Sequence, residues 1–304
     1  MTRSGRVAQM PMHEGVSASV VAVPAGHWPS LLDFLVQRMP GIPRSEWALR
    51  LEQGLVLKES GQSAQADQPC LAGQRFFYYR NVRDEPPLPR QAAVVYEDDH
   101  LLVADKPHFM PVTPSGPYVQ QCLLVQLKRL SGQAELVPLH RIDRETAGLV
   151  LFGKRLRERD AYHALFRDHR IHKIYHAVAA HRPELSLPRV HTSRLAEDPA
   201  HFFKMREVEG EPNSETRIAL LQAQGSRALY QLEPVSGKRH QLRVHMMAMG
   251  MPIEGDQFYP QVLRGPDAPE DFGQPLQLLA HSVEFTDPLS GQARQLTTRQ
   301  ELLL

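Results

Sequence analysis

A chain of 304 residues with 42% hydrophobic and 23% charged content is long enough to bury a sizeable core and to carry a smaller unit beside a larger one. No apolar run approaches the roughly 20 residues of a membrane-spanning helix, and Cys70 and Cys122 form no metal-spaced pair, which argues against a cysteine zinc site or a disulfide framework and for a reducing, cytoplasmic compartment. The formal net charge of +1 argues against a uniformly basic nucleic-acid binder, so any such partner must be met by a local patch.

In chain order, Arg3 and Arg6 precede a mildly apolar stretch, residues 16–26, in the manner of a signal peptide. Glu14 stands just before it, Ser17 and Ser19 interrupt it, and it lacks Leu, Ile and Phe, so the stretch predicts an ordinary first strand. Apolar residues at helical spacing predict helices over 30–36 and 43–51, and residues 54–57 and 75–79 read as strands. The proline-dense run 83–90 predicts a linker dividing an N-terminal module, 1–85, from a larger domain, 86–304. Beyond it, residues 119–130, 160–166 and 241–249 predict helices, the last stopped by Gly250. Strands are expected over 149–152, 174–179, 228–232 and 282–285. Regular strand–helix–strand repeats are absent, which predicts an α+β fold: a mixed, largely antiparallel sheet flanked by helices, with a small helix–strand module ahead of it.

Chemistry concentrates in residues 140–148, HRIDRETAG, where Asp143 lies between Arg141 and Arg144. Neighbouring positive charge favours the ionised carboxylate, which suits a nucleophile or base, and the arginines suit phosphates. The same pattern also fits a surface turn with a local ion pair. Residues 235–245 add Lys238, Arg239, His240, Arg243 and His245 without an acidic residue, and residues 154–173 carry seven Lys or Arg against Glu158, Asp160 and Asp168. Such patches bind RNA on nearly neutral proteins, although much of 154–170 reads equally as a solvated helix face.

HRIDRETAG resembles the HRLD-x-x-T-S-G signature of the RluA-type RNA pseudouridine synthases, with Ile142 for Leu and Ala147 for Ser. Residues 173–178 resemble the family's Lys-x-Tyr-x-Ala block, and 234–245 its TGRTHQIRVH block, with Ser236, Lys238 and Arg239 as departures. Residues 250–256 and 279–285 are similar to its closing G-x-P-I-x-G-D and AH-x-L-x-F elements, and 94–107 to the strand and Lys-Pro opening of its catalytic domain. Ordered blocks over roughly residues 91–290 are far more specific than any one of them.

The resemblance implies isomerisation of particular uridines in structured RNA, ribosomal or transfer, a reaction that requires no metal, redox group or nucleotide cofactor; the sequence leaves the oligomeric state open, with a monomer as the default. It gives Asp143 the role of catalytic carboxylate, Arg243 that of its ion-pair partner, and Tyr175 a place against the target base with a possible part in proton removal. Arg141 and Arg144 would brace the gap left by a flipped base. Lys106, Lys238, Arg239 and His240 would contact phosphates. The two short helices and following strands of 1–85 resemble the small RNA-binding module that precedes many of these catalytic domains, but Glu46 and Glu52 offset Arg44 and Arg50, and a structural appendage fits as well. Two alternatives stand beside this reading. One is a catalytically inactive RNA-binding protein on the same scaffold, against which the joint presence of Asp143, Tyr175 and Arg243 argues. The other is a metal-dependent hydrolase, against which the five-residue separation of His240 and His245 argues.

Overall fold

The computed structural model describes residues 10–80, 85–263, 265, 268 and 270–304, and these divide into two compact units. The first gathers the described residues of Met1–Glu85 with Gly116–Gln120 and Val125–Ala134, and the second those of Pro86–Ser115, Gln121–Leu124 and Glu135–Leu304. The sequence-expected linker loses its first residues, Arg83 and Asp84, to the part outside the described residues, as do Arg3 and Arg6; from Glu85 to Gln91 no helix or strand forms.

In the first unit, strand β1 (Ser19–Ala22) lies within the stretch expected to be a first strand. Helix α1 (Leu31–Arg38) starts where Ser30 Oγ accepts the Asp33 amide, and Asp33 and Arg38 place charge of the favourable sign at its two ends. Helix α2 (Arg44–Glu52) follows Pro43, whose fixed φ suits a helix start. With β2 (Val56–Lys58) and β3 (Arg75–Tyr78), β1 forms a three-stranded antiparallel sheet in the order β1-β3-β2. Leu31, Phe34 and Leu35 of α1 and Trp47 and Leu51 of α2 pack with Val21, Val56 and Phe76 into one core. Arg50 is buried over the Trp47 ring and paired with Glu46, so it belongs to that core and not to a basic surface.

The remaining elements, in chain order, are β4 (Ala93–Glu97), β5 (Leu101–Lys106), α3 (Leu123–Ser131), β6 (Val137–Pro138), β7 (Ala147–Gly153), α4 (Arg159–Arg167), β8 (Ile171–Ala180), β9 (Arg189–Asp198), β10 (His201–Val208), β11 (Ser214–Gln224), β12 (Arg227–Pro234), α5 (Gln241–Ala248), β13 (Leu278–Thr286) and β14 (Ala293–Thr297). Eleven strands form one sheet along the path β10-β9-β11-β12-β8-β13-β7-β5-β4, with β14 on β13 and β6 on β7. The β13–β7 pairing is parallel and the others are antiparallel. Tyr162 and Leu165 of α4 pack on Leu101, Leu149, Leu151 and Phe285, while Leu242 and Met246 of α5 pack on Ala177, Ile218, Tyr230 and Leu278. This is the expected α+β architecture, and among the described residues no helix is long and apolar enough to cross a membrane.

The elements depart from or go beyond the sequence reading at three places. Residues 94–104, similar to the family's opening strand, form a hairpin, because Asp98 Oδ1 accepts the amides of His100 and Leu101 at 2.8 Å each and closes a turn between two apolar segments. The helix expected from residue 119 begins only at Leu123. Strands β9 to β11 and β14 were not expected: β9 is rich in Arg, His, Thr and Glu and buries only Leu195, whereas the apolar run 218–221 of β11 was overlooked. Their order comes from ladder hydrogen bonds, which side-chain hydropathy does not report.

At the junction of β7 and β13, Gly148 has φ +108°, and a Cβ there would meet the Ala280 carbonyl oxygen at 2.2 Å and its amide nitrogen at 2.7 Å. Both obstacles are backbone, so neither can swing aside. Gly148→Ala is expected to lower stability by about 3 kcal/mol or more, measurable by denaturant unfolding; an unchanged midpoint would show that the two strands can part without cost.

Candidate active site

Asp143 lies in the loop between β6 and β7, a turn closed by the Thr146 amide donating to the Asp143 carbonyl at 3.1 Å. Three side chains, His140, His108 and the buried Lys106, tie that loop to the sheet. His140 Nε2 accepts the Leu151 amide at 3.1 Å while its ring stacks on Phe166, and burial pulls its pKa down to about 3, so it stays neutral. His108 Nδ1 donates to the Glu145 carbonyl at 2.7 Å. Lys106, 0% exposed, donates to the carbonyls of Arg144 at 3.1 Å and Pro107 at 3.0 Å. Burial pulls its ammonium down to about 7 against the opposing charges of Glu145 and Asp143.

Opposite the loop stands Arg243 on α5, 1% exposed. Its Nε and Nη2 grip Asp256 in a bidentate pair at 2.8 and 2.7 Å, leaving Nη1 to reach Asp143 Oδ2 at 3.3 Å and Glu145 Oε2 at 3.8 Å. Asp256 is itself oriented by the amides of Phe258 and Tyr259 on Oδ1. The backbone reaches it through Gly255, at φ +74°, where a Cβ would lie 2.3 Å from the Pro275 carbonyl oxygen. His240 completes the surround: its Nδ1 meets the Tyr259 hydroxyl at 3.0 Å, and its Nε2 lies 3.8 Å from Asp143. Burial alone would raise the Asp143 pKa, but His240, Arg243 and Lys106 outweigh it and hold the carboxyl below the ordinary carboxylate range.

Asp143, Glu145, His240 and Arg243 line a cavity of about 1000 Å³. Tyr175, on β8, contributes one wall and packs on the core that supports α5. Burial, joined by the Asp143 charge, raises its phenol well above the usual value, so it keeps its proton at neutral pH. Lys173, two residues earlier on the same strand, lines the cavity too, and burial lowers its pKa. The wall is completed by Phe203 and Phe258.

The structure therefore brings Asp143, Tyr175 and Arg243 together. It separates the residues expected to touch RNA. Arg141 is exposed at the cavity, with no ion-pair partner among the described residues, and Lys238 is exposed nearby. Arg239 is exposed but spends two donors on the Phe202 and Phe203 carbonyls, at 3.2 and 2.9 Å. Three expectations are corrected. Lys106 cannot contact a phosphate, because its ammonium is sealed beneath the loop that carries Asp143. His240 is buried and faces Asp143 instead of solvent. Arg144 lines the cavity but is held by Glu145 at 3.1 Å and Glu270 at 2.5 Å, so it is not the unengaged cation a brace would use. Asp256 and His108 were missed; Asp256 ends a quoted motif block, but only its contact with Arg243 reveals a role.

Behind α5, His245 Nε2 contacts Ser193 and Ser214 hydroxyls at 3.1 and 3.0 Å, and Nδ1 contacts Thr216 at 2.9 Å. His191 and Glu207, paired at 2.7 Å, lie close by. Ser214 gives its own proton to the Ser193 carbonyl, so His245 Nε2–H donates to Ser214, and the ring is a hydrogen-bonded support for the helix.

Residues 100–248 match the family model described as RNA pseudouridylate synthase. An uncharacterised RNA pseudouridine synthase of Synechocystis sp. is 31% identical over 231 residues, covering 75% of this chain and 79% of the relative. The dual-specificity RNA pseudouridine synthase RluA of Vibrio cholerae is 30% identical over 211 residues, covering 69% and 84%. The chain belongs to the RluA-type RNA pseudouridine synthases. Its fold is also similar to that of human RNA pseudouridylate synthase domain-containing protein 1, with a TM-score of 0.57 at 22% identity over 71% of this chain and 86% of that one.

A pseudouridine synthase isomerises uridine in RNA: the bond from the ribose to N1 breaks, the base turns over, and a bond to C5 forms as C5 loses its proton. In this synthase an ionised carboxylate waits inside a cavity large enough for a nucleotide. The sign of its pH dependence follows. A depressed Asp143 pKa means that the ion-pair stabilisation is present above the ordinary carboxylate pKa and is lost as pH falls through the lower folded value. Arg243→Lys keeps a charge but cannot grip Asp256 and reach Asp143 at once. It is expected to lower kcat roughly 100-fold and to move the acid limb of the pH–rate profile upward, with circular dichroism confirming the fold. A rate and profile like wild type would show that the bridge does not tune Asp143.

Proposed function

We propose that Asp143 is the carboxylate that acts on the ribose of the target uridine, by attack at the anomeric carbon or by removal of a sugar proton. Both steps require an ionised acid. The observation that carries this reading is the Arg243 guanidinium, buried between Asp256 and Asp143, which keeps the Asp143 carboxylate charged and aimed into the cavity. Tyr175 lies along the base and limits its tilt. Arg141 braces the gap left by the flipped base, and Lys238 and Arg239 meet phosphates at the rim.

The substrate is structured RNA, ribosomal or transfer, read by shape contacts spread over loops. Residues 1–85 are proposed as an RNA-binding module and 86–304 as the catalytic domain. Arg50 does not serve that module's surface, since it is buried against Trp47; Arg44 is exposed and paired with Asp33.

The test is carbodiimide-labelled primer extension on total RNA from cells with and without the gene. Wild type is expected to restore a defined stop, and Asp143→Ala to leave it absent while binding the same RNA within about threefold of wild type. Product formed by Asp143→Ala would remove this carboxylate from the chemistry. Wild type that binds RNA and restores no stop would favour a binding protein on this scaffold.

A further inference from the structure

Strand β10 opens with a distortion that the catalytic cavity does not explain. His201 pairs with Asp198, yet Met205 pairs with Glu197, so residues 202–204 bulge out of the ladder. The bulge is pinned. Arg239 donates to the Phe202 and Phe203 carbonyls at 3.2 and 2.9 Å, and the Tyr259 hydroxyl accepts the Met205 amide at 2.8 Å and donates to the Met205 carbonyl at 3.1 Å. Its result is that Phe203 turns toward the cavity while Phe202 stands 82% exposed. Bulges of this kind re-aim side chains beside active sites.

We propose that Phe202 is a stacking platform for an unpaired RNA base beside the uridine held in the Asp143 cavity; the proposal rests on the reading of that cavity as the uridine site. An aromatic series leads there from the reacting centre. Phe258 stacks with His240 at 6.1 Å and lies 5.0 Å from the Arg243 guanidinium, Phe203 packs on Phe258 at 5.1 Å, and Phe202 meets Phe203 edge-on at 5.5 Å. At 82% exposure the Phe202 ring is open to solvent, as a stacking base requires. Lys238 and Arg239, exposed on the neighbouring turn, offer positive charge to the phosphates of the same strand. Every base has a π face, so such a platform holds the strand without choosing its sequence, and it favours RNA whose target uridine lies in a loop over RNA in which the neighbour is locked in a helix.

The experiment uses the full-length chain and two fluorescent probes, a nine-nucleotide oligouridylate and a ribose–phosphate oligomer of the same length without bases. Phe202→Ala is expected to weaken oligouridylate binding by roughly 5- to 100-fold and to leave the abasic oligomer unaffected. Phe202→Trp should restore binding and Phe202→Leu should not, which separates stacking from apolar contact. An exposed side chain leaves the fold intact on replacement, and circular dichroism checks this. Unchanged binding, an equal loss on both probes, or full rescue by leucine would each overturn the proposal. The same pair of probes applied in an Asp143→Ala background keeps the two readings apart. A Phe202 effect that persists while Asp143→Ala still forms product would sink the role of Asp143 alone, whereas loss of product without a Phe202 effect would sink the platform alone.

Discussion

The buried guanidinium of Arg243 is the interaction on which the rest of the catalytic unit depends. A charge at 1% exposure is costly unless its donors are met, and here the planar fork places Nε and Nη2 on the two oxygens of Asp256 and turns Nη1 toward Asp143 and Glu145. One side chain thereby fixes three segments: helix α5, the loop through Gly255 that presents Asp256, and the loop through Asp143. A lysine, with a single charged nitrogen, could not hold all three in register.

Around that bridge the protein balances burial against charge. Enclosure alone would raise the Asp143 pKa, and it does push Lys106, His140 and His240 toward their neutral forms. The carboxylate stays ionised because cationic and hydrogen-bonding groups are placed on its side of the cavity. The neutral groups do other work: His140 and His108 hold the loop by its backbone, and Tyr175 keeps its proton and presents an aromatic wall.

A formal charge of +1 would seem a poor match for a polyanion. The structure resolves this by sorting its cations by depth. Lys106, Arg144 and Arg243 face inward or onto carboxylates, and Arg141, Lys238 and Arg239 remain at the rim of the cavity. Local arrangement, and not the total, is what a phosphate meets.

The chemistry-bearing blocks were legible in the sequence because an acid, an arginine and a tyrosine each stand in an ordered local motif, and so were most of the core elements, since apolar periodicity marks faces that must be buried. The α+β class followed from the same pattern. Chain order alone could not show that Asp256 and Asp143, far apart in sequence, share one guanidinium, nor that Lys106 and His240 are buried and Arg144 is held by carboxylates. A charged residue type tells what a side chain can bind, while its depth and partners depend on which strands close around it. Strands β9 and β10 escaped for the same reason. Their order lies in backbone hydrogen bonds and in the bulge that aims Phe202 outward, and these exist only once the sheet has formed.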